Sequence, residues 1–177
     1  MSTLVKNIIR FILFLLVQAL VLDKVPPLHQ FVKPYLYFLY ILWLPFNTPR
    51  IGLMFISFAF GLCMDYLSGT PGLHAAPCVL IAYLRPFLLN VLMPQEKTEL
   101  SYGEPGIASI GFAPYSVYVV LLTFIHHAYL VLIEWLQFGD FLFFIGKVAA
   151  TTAVSLLMIF VTEVLFYRKS RFRTNAA

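Results

Sequence analysis

Long apolar segments, divided by short clusters of charge, proline and glycine, constrain this chain more than any other feature. Only 11% of its 177 residues are charged and 61% are hydrophobic, whereas a typical soluble domain is about a quarter charged and about half apolar. A polypeptide so poor in charge cannot cover one globular core with a wettable surface. Lipid is the solvent that suits it, and one bilayer-spanning helix takes about 20 residues. The breaks divide the sequence accordingly, into spans at about 7–22, 34–46, 51–67, 73–93, 107–137 and 141–167. The dividers are Asp23–Lys33 with Pro26 and Pro27, Asn47-Thr48-Pro49-Arg50, Ser68-Gly69-Thr70-Pro71-Gly72, the polar stretch Pro94–Gly106, and Gly139-Asp140. Proline and glycine at these places resist helix continuation. The expectation is an all-α integral membrane protein, a compact six-helix bundle in a single domain of residues 1–177, ending in a basic tail at 168–177.

The same composition excludes a disordered tail protein, a collagen-like fibre and a disulfide scaffold. A net charge of +4 is no nucleic-acid signal here, because no contiguous basic face is long enough to track phosphates. Lys6 and Arg10 before Phe11–Leu22 resemble a leader peptide. No small-x-small cleavage site closes that stretch, so it reads as a retained first span. Lys6, Arg10, Arg50, Lys97 and the tail residues Arg168, Lys169, Arg171 and Arg173 fall on one side of a six-span chain, against Lys24, Lys33 and Lys147 on the other. By the positive-inside rule both termini are expected in the cytoplasm. Trp43 and Trp135 then fall near opposite membrane boundaries.

The rare polar residues inside the spans are the candidate site. Ser57, Gly61, Asp65 and Ser68 recur at steps of four, four and three, on one helical face. Ser57 and Gly61 form a small-xxx-small pair for close helix approach. Asp65 lies about 22 Å of helix beyond Arg50, near the outer boundary. It either satisfies backbone donors around the turn and the start of span four, or binds a basic group or ligand in an outer cavity. Arg85 follows Ala75, Cys78 and Ala82 on one face of span four. At mid-membrane an arginine costs about 2.5–3.5 kcal/mol. Snorkelling to the cytoplasmic face is the plain expectation; pairing with an acid or with carbonyls of a broken helix is the alternative. Cys63 and Cys78 flank the Ser68–Gly72 turn and read as small apolar residues rather than a disulfide.

Ser116, Thr123, His127 and Glu134 form a polar stripe on span five that should face the bundle interior. His126 points about 100° away from His127. The adjacent pair therefore suits hydrogen bonding better than a shared metal, and no metal or other cofactor is expected. Ala149 with Ala153, and Gly146 with Ala150, are expected as helix-packing seams on span six. Lys147 and Glu163 are placed to snorkel. Asp23 and Asp140 fall on the same outer side as Asp65, but neither sits in a motif that would aim it into a carboxylate dyad; no nucleophile elbow, phosphate loop or dinucleotide fingerprint is present, so no catalytic residue is assigned. A scaffold in a membrane complex and a small-molecule binding or transport subunit both remain open.

The stretch KPYLYFLYILWLPFNTPRIGLMFISFAFGLCMDYLSGTPGLHAAPCVLIAYLRP, Lys33–Pro86, resembles the MreD family of rod shape-determining proteins. The resemblance centres on Gly61-Leu62-Cys63-Met64-Asp65, Ser68-Gly69, Gly72 and the small residues that follow, with Gln18 and Pro34 in keeping. Thr48-Pro49-Arg50 and His74-Ala75-Ala76 are like Bacteroidetes-type members. From Pro94 onward only the hydropathy agrees. The resemblance implies a non-enzymatic role in cell elongation in the bacterial inner membrane. The implied partners are MreC, the MreB filament and the elongation glycosyltransferase and transpeptidase, acting in lateral peptidoglycan synthesis. It also implies a fold similar to the substrate-binding subunits of energy-coupling-factor transporters, which makes vitamin binding the rival function. Gly61, Asp65, Ser68, Gly69 and Gly72 would shape the hairpin and its outer cavity, and a groove would receive the single span of MreC. Arg85, His127 and Glu134 are candidate interior or partner contacts.

Overall fold

The computed structural model describes residues 3–25, 32–93, 103–135 and 140–165, and every regular element among them is helical. In chain order these are α1 (Thr3–Leu16), a π-helical turn (Val17–Val21) and a 3-10 turn (Leu22–Lys24), then α2 (Leu39–Leu42), α3 (Arg50–Ser68), α4 (Ala75–Leu92), α5 (Ile107–Ile110), α6 (Phe112–Glu134) and α7 (Phe141–Leu165). Among the described residues five helices are long and apolar enough to cross a membrane: Leu4–Lys24, α3, α4, α6 and α7. Their outward faces carry large exposed apolar side chains, among them Leu4, Leu20, Ile51, Phe55, Phe87, Leu157 and Phe160. Apolar surface this extensive is incompatible with water and suits acyl chains.

Six spanning helices were expected and five are formed among the described residues. Residues 34–46, the expected second span, contain only the four-residue α2; the rest is extended chain and turns. The segment is nonetheless the centre of the molecule. Tyr37, Phe38, Leu39, Ile41 and Leu42 have no exposure at all. The physical reason is general: non-helical backbone is tolerated at membrane depth only where protein surrounds it and satisfies its polar groups. The segment starts at Pro34, beside Gln18 and Asp23, and reaches Phe46, whose N–H donates to the Gly103 carbonyl. Glu104, next in the chain, holds Lys6 and Arg10 of α1. The segment thus runs from one end of the bundle to the other.

Other boundaries also shift. Gly111, at φ +93°, divides the expected fifth span into α5 and α6. Positive φ is open to glycine at little cost. Most of the expected polar loop (94–102), Lys97, Gln137 and the basic tail 168–177 lie outside the described residues.

The tightest contact is the hairpin of α3 and α4. A Cβ added to Gly61 would sit 2.5 Å from the Ala75 Cα and 2.9 Å from its nitrogen. Only glycine permits this backbone-to-backbone approach, which matters because packing rather than water exclusion holds helices together in lipid. Around the central segment, Phe11 meets Tyr40 and Phe60 edge-to-face, with Phe11–Phe60 ring centroids 5.0 Å apart, and the Tyr40 and Phe60 rings are tilted against each other. On α7 the buried residues are Val148, Thr151, Thr152, Ser155 and Ile159. Ala149 and Ala153, expected as a packing seam, are exposed, and a Cβ at Gly146 would meet nothing. Larger side chains on another face make the α7 contacts, so this pair packs no helix among the described residues.

Candidate functional site

The site is built at the turn between α3 and α4. α3 ends where Gly69 adopts the left-handed conformation, φ +67°, and Thr70 N–H bonds back to the Asp65 carbonyl at 3.0 Å. This is the usual glycine closure of a helix C-terminus. The Asp65 side chain then turns to the incoming chain. Its Oδ1 accepts the His74 N–H at 2.7 Å, and its Oδ2 accepts those of Gly72 and Ala75, each at 3.0 Å. These are donors at the start of α4 that a helix leaves without intrahelical partners, and a carboxylate suits the positive end of the helix dipole. Asp65 is buried, with 4% exposure. Of the two readings open for it, satisfaction of backbone donors describes its contacts. Ser68 Oγ donates to Asp23 Oδ2 at 3.0 Å, which ties the turn to the end of the first span.

A second group of polar residues serves the central segment. Gln18 Nε2 donates to the Pro34 carbonyl at 3.1 Å and to Asp23, while its Oε1 accepts the Leu36 N–H at 2.9 Å. Ser155 Oγ accepts the Tyr35 N–H at 3.1 Å and lies 3.0 Å from His127 Nε2. His127 Nδ1 is 2.7 Å from the Thr123 carbonyl. A carbonyl only accepts, so Nδ1 carries the proton, and in the neutral ring Nε2 accepts from Ser155.

Further along the segment, Tyr118 donates to the Leu42 carbonyl at 3.0 Å, and Arg85 donates through Nη2 to the Leu44 carbonyl and through Nε to Tyr118 Oη. Arg85 is 1% exposed. It does not snorkel; the unwound chain supplies the carbonyl that a guanidinium needs when buried.

At the centre, Tyr37 Oη lies 3.0 Å from His74 Nδ1 and 2.9 Å from His126 Nε2. One hydroxyl proton serves two ring nitrogens, so Tyr37 donates to one histidine and accepts from the other. His126 stacks on Phe38 with centroids 4.5 Å apart. His126 and His127 are both fully buried, and both rings contact Phe38 of the central segment. Among the described residues no three of His, Cys, Asp and Glu converge as metal ligands would.

Other expected residues disperse. Ser57 is buried, and its hydroxyl has no hydrogen-bond partner among the described residues. Glu134 pairs with Lys147 at 2.5 Å at the loop end of α6. Cys63 is exposed and Cys78 buried, and both are free thiols. Sequence reasoning missed Tyr37, Tyr118 and Ser155, and took Glu163 only as a residue placed to snorkel. Glu163 accepts from Trp43 Nε1 at 2.9 Å and from the Tyr115 hydroxyl. A tyrosine-rich apolar segment gave no signal of unwinding.

On the outer face of the hairpin lies a groove of about 610 Å³. Phe58 and Leu62 of α3, Gly72, Ala75 and Tyr83 on the α4 side and Tyr129 of α6 line it. Two of these, Gly72 and Ala75, give their N–H groups to Asp65. The carboxylate therefore holds the backbone at one end of the groove.

Five apolar helices around a buried polar network define the class: a helical, multi-pass membrane protein. No family model, curated protein or solved structure matches the chain.

Proposed function

We propose that the protein is a non-enzymatic membrane scaffold of the MreD type, serving cell elongation in the bacterial inner membrane. In this reading the groove beside α3 and α4 receives the single transmembrane helix of MreC. MreB and the elongation glycosyltransferase and transpeptidase belong to the same assembly. The ends of the chain face the cytoplasm, with Lys6, Arg10 and Arg50 at that surface, and the Asp65 turn faces outward.

The observation that carries the reading is the coupling of Asp65 to the groove. The carboxylate is spent on three backbone N–H groups of the turn, two of which belong to groove residues. Small residues at that end, Gly72 and Ala75, permit close approach of a second helix.

The test is co-purification from membranes. Wild-type protein should retain MreC, and cells should be rods. Asp65→Ala should lose MreC and round the cells, while remaining in the membrane. Normal pull-down and rod shape with Asp65→Ala would overturn the reading. So would calorimetric binding of a vitamin by the purified protein, which belongs to the transport rival.

A further inference from the structure

We propose that a cavity at the Lys6 end of the bundle holds one aminophospholipid, with its phosphate against Lys6 and Arg10, its ammonium against Glu163, and an acyl chain along Leu13, Phe14 and Val17. The cavity measures about 680 Å³, within the roughly 300–1,000 Å³ of ligand sites. It lies between α1, the end of α7 and the chain around α5.

The wall formed by α1 and the π-helical turn after it supplies the first argument. Lys6, Arg10, Phe14 and Val17 recur at steps of four, four and three on one helical face, and all four line the cavity. From Lys6 to Val17 is about 16 Å of helix, close to one leaflet, or half of the ~30 Å hydrocarbon core. The first turn of this wall is cationic and the next two are apolar, with Leu36 deeper in. Basic pockets between spans at one membrane face are headgroup sites.

Charge decides which headgroup. Among the described residues the cavity carries two cations, Lys6 and Arg10, and two carboxylates, Glu104 and Glu163. Glu104 takes one donor from each cation, Lys6 Nζ at 2.5 Å and Arg10 Nη1 at 2.8 Å. An ammonium has three donors and a guanidinium five, so donors remain for a phosphate. The Arg10 guanidinium lies 5.3 Å over the Trp43 ring, and the Trp43 indole donates to Glu163 Oε1. Cation and carboxylate thus flank one indole. The Tyr115 hydroxyl uses the same Oε1, which leaves Oε2 for a further donor. Free phosphate would leave the apolar wall empty, and a fatty acid would leave Glu163 without a cation. A lipid whose headgroup carries both a phosphate and a primary ammonium satisfies every part.

Trp43 makes the test direct. The chain has two tryptophans, so in the full-length Trp135→Phe protein the emission reports Trp43 alone. The protein is placed in phosphatidylcholine bilayers containing a minor fraction of acyl-brominated phosphatidylethanolamine, and in the converse mixture with brominated phosphatidylcholine. Quenching should be at least about twofold stronger with brominated phosphatidylethanolamine. Glu163→Gln keeps an acceptor for Trp43 and Tyr115 and should abolish the preference. Val17→Phe, which fills the apolar part, should abolish it as well. Equal quenching by the two lipids would overturn the proposal. So would equally strong quenching by brominated phosphatidylglycerol, which has the phosphate without the ammonium, or a preference that survives Glu163→Gln.

Discussion

The α3–α4 hairpin and the central segment 34–46 solve one problem in opposite ways. Both must satisfy backbone groups inside a membrane protein. The hairpin does so almost locally: Asp65 reaches donors at positions 72, 74 and 75, and Gly61 meets Ala75. The central segment depends on side chains from four other elements: Gln18, Arg85, Tyr118 and Ser155. A helix is self-sufficient in hydrogen bonds, and a short turn nearly so. An unwound segment is not, and the bundle's interior polar residues are distributed to serve it. They read as functional candidates in isolation, yet most of them are spent on the backbone.

Substitutions can break this contrast, and unfolding of the purified protein in mixed micelles of mild detergent and dodecyl sulfate measures each. Asp65→Ala should have the largest effect, about 2–4 kcal/mol, since it strands three N–H groups at once. If the loss is local, hydrogen exchange should rise at positions 72–75 and leave the central segment protected. Gln18→Leu should cost somewhat less, about 2 kcal/mol, but exchange should rise at Leu36 and beyond the first span. A loss confined to the first span would show that the segment holds itself.

A third variant works through pH at the Lys6 end. Burial raises the Glu104 carboxyl pKa, but hydrogen bonds and charge from Lys6 and Arg10 outweigh this and hold it below the usual carboxylate range. Its folded value is therefore depressed. The resulting stability is fully present above the unfolded value of about 4.3 and is lost as pH falls through the folded one. About 0.5–1 kcal/mol should disappear over that acid window, as suits a partly exposed ion pair. Glu104→Gln should abolish that pH dependence and lose about the same amount at neutral pH. The smallest effect belongs to Ala153→Leu. On the exposed face of α7 it should stay within about 0.5 kcal/mol, and a larger loss would restore the seam expected there.

Legibility followed the range of the interaction. The five long helices were readable because length and apolar content decide them within each segment. The Ser68–Gly72 turn was readable because its breaker residues are neighbours in the chain, whereas Asp65 stayed open between backbone donors and a ligand. The unwinding of residues 34–46 was not, because tyrosine, leucine and isoleucine there suit a helix equally well. Arg85 was misjudged for a related reason: without an unwound neighbour, the nearest satisfaction for a guanidinium is the membrane surface. Ala149 and Ala153 are small, but residue size alone does not say which face of α7 turns inward.

By itself the sequence determined that this chain is apolar enough for lipid, roughly where its long apolar helices lie, and that a break at Ser68–Gly72 divides α3 from α4. Only the tertiary structure decided which segment stays unwound and what its interior polar groups do. A buried carbonyl or N–H must find a partner, and which side chain supplies it depends on elements brought together from distant parts of the chain.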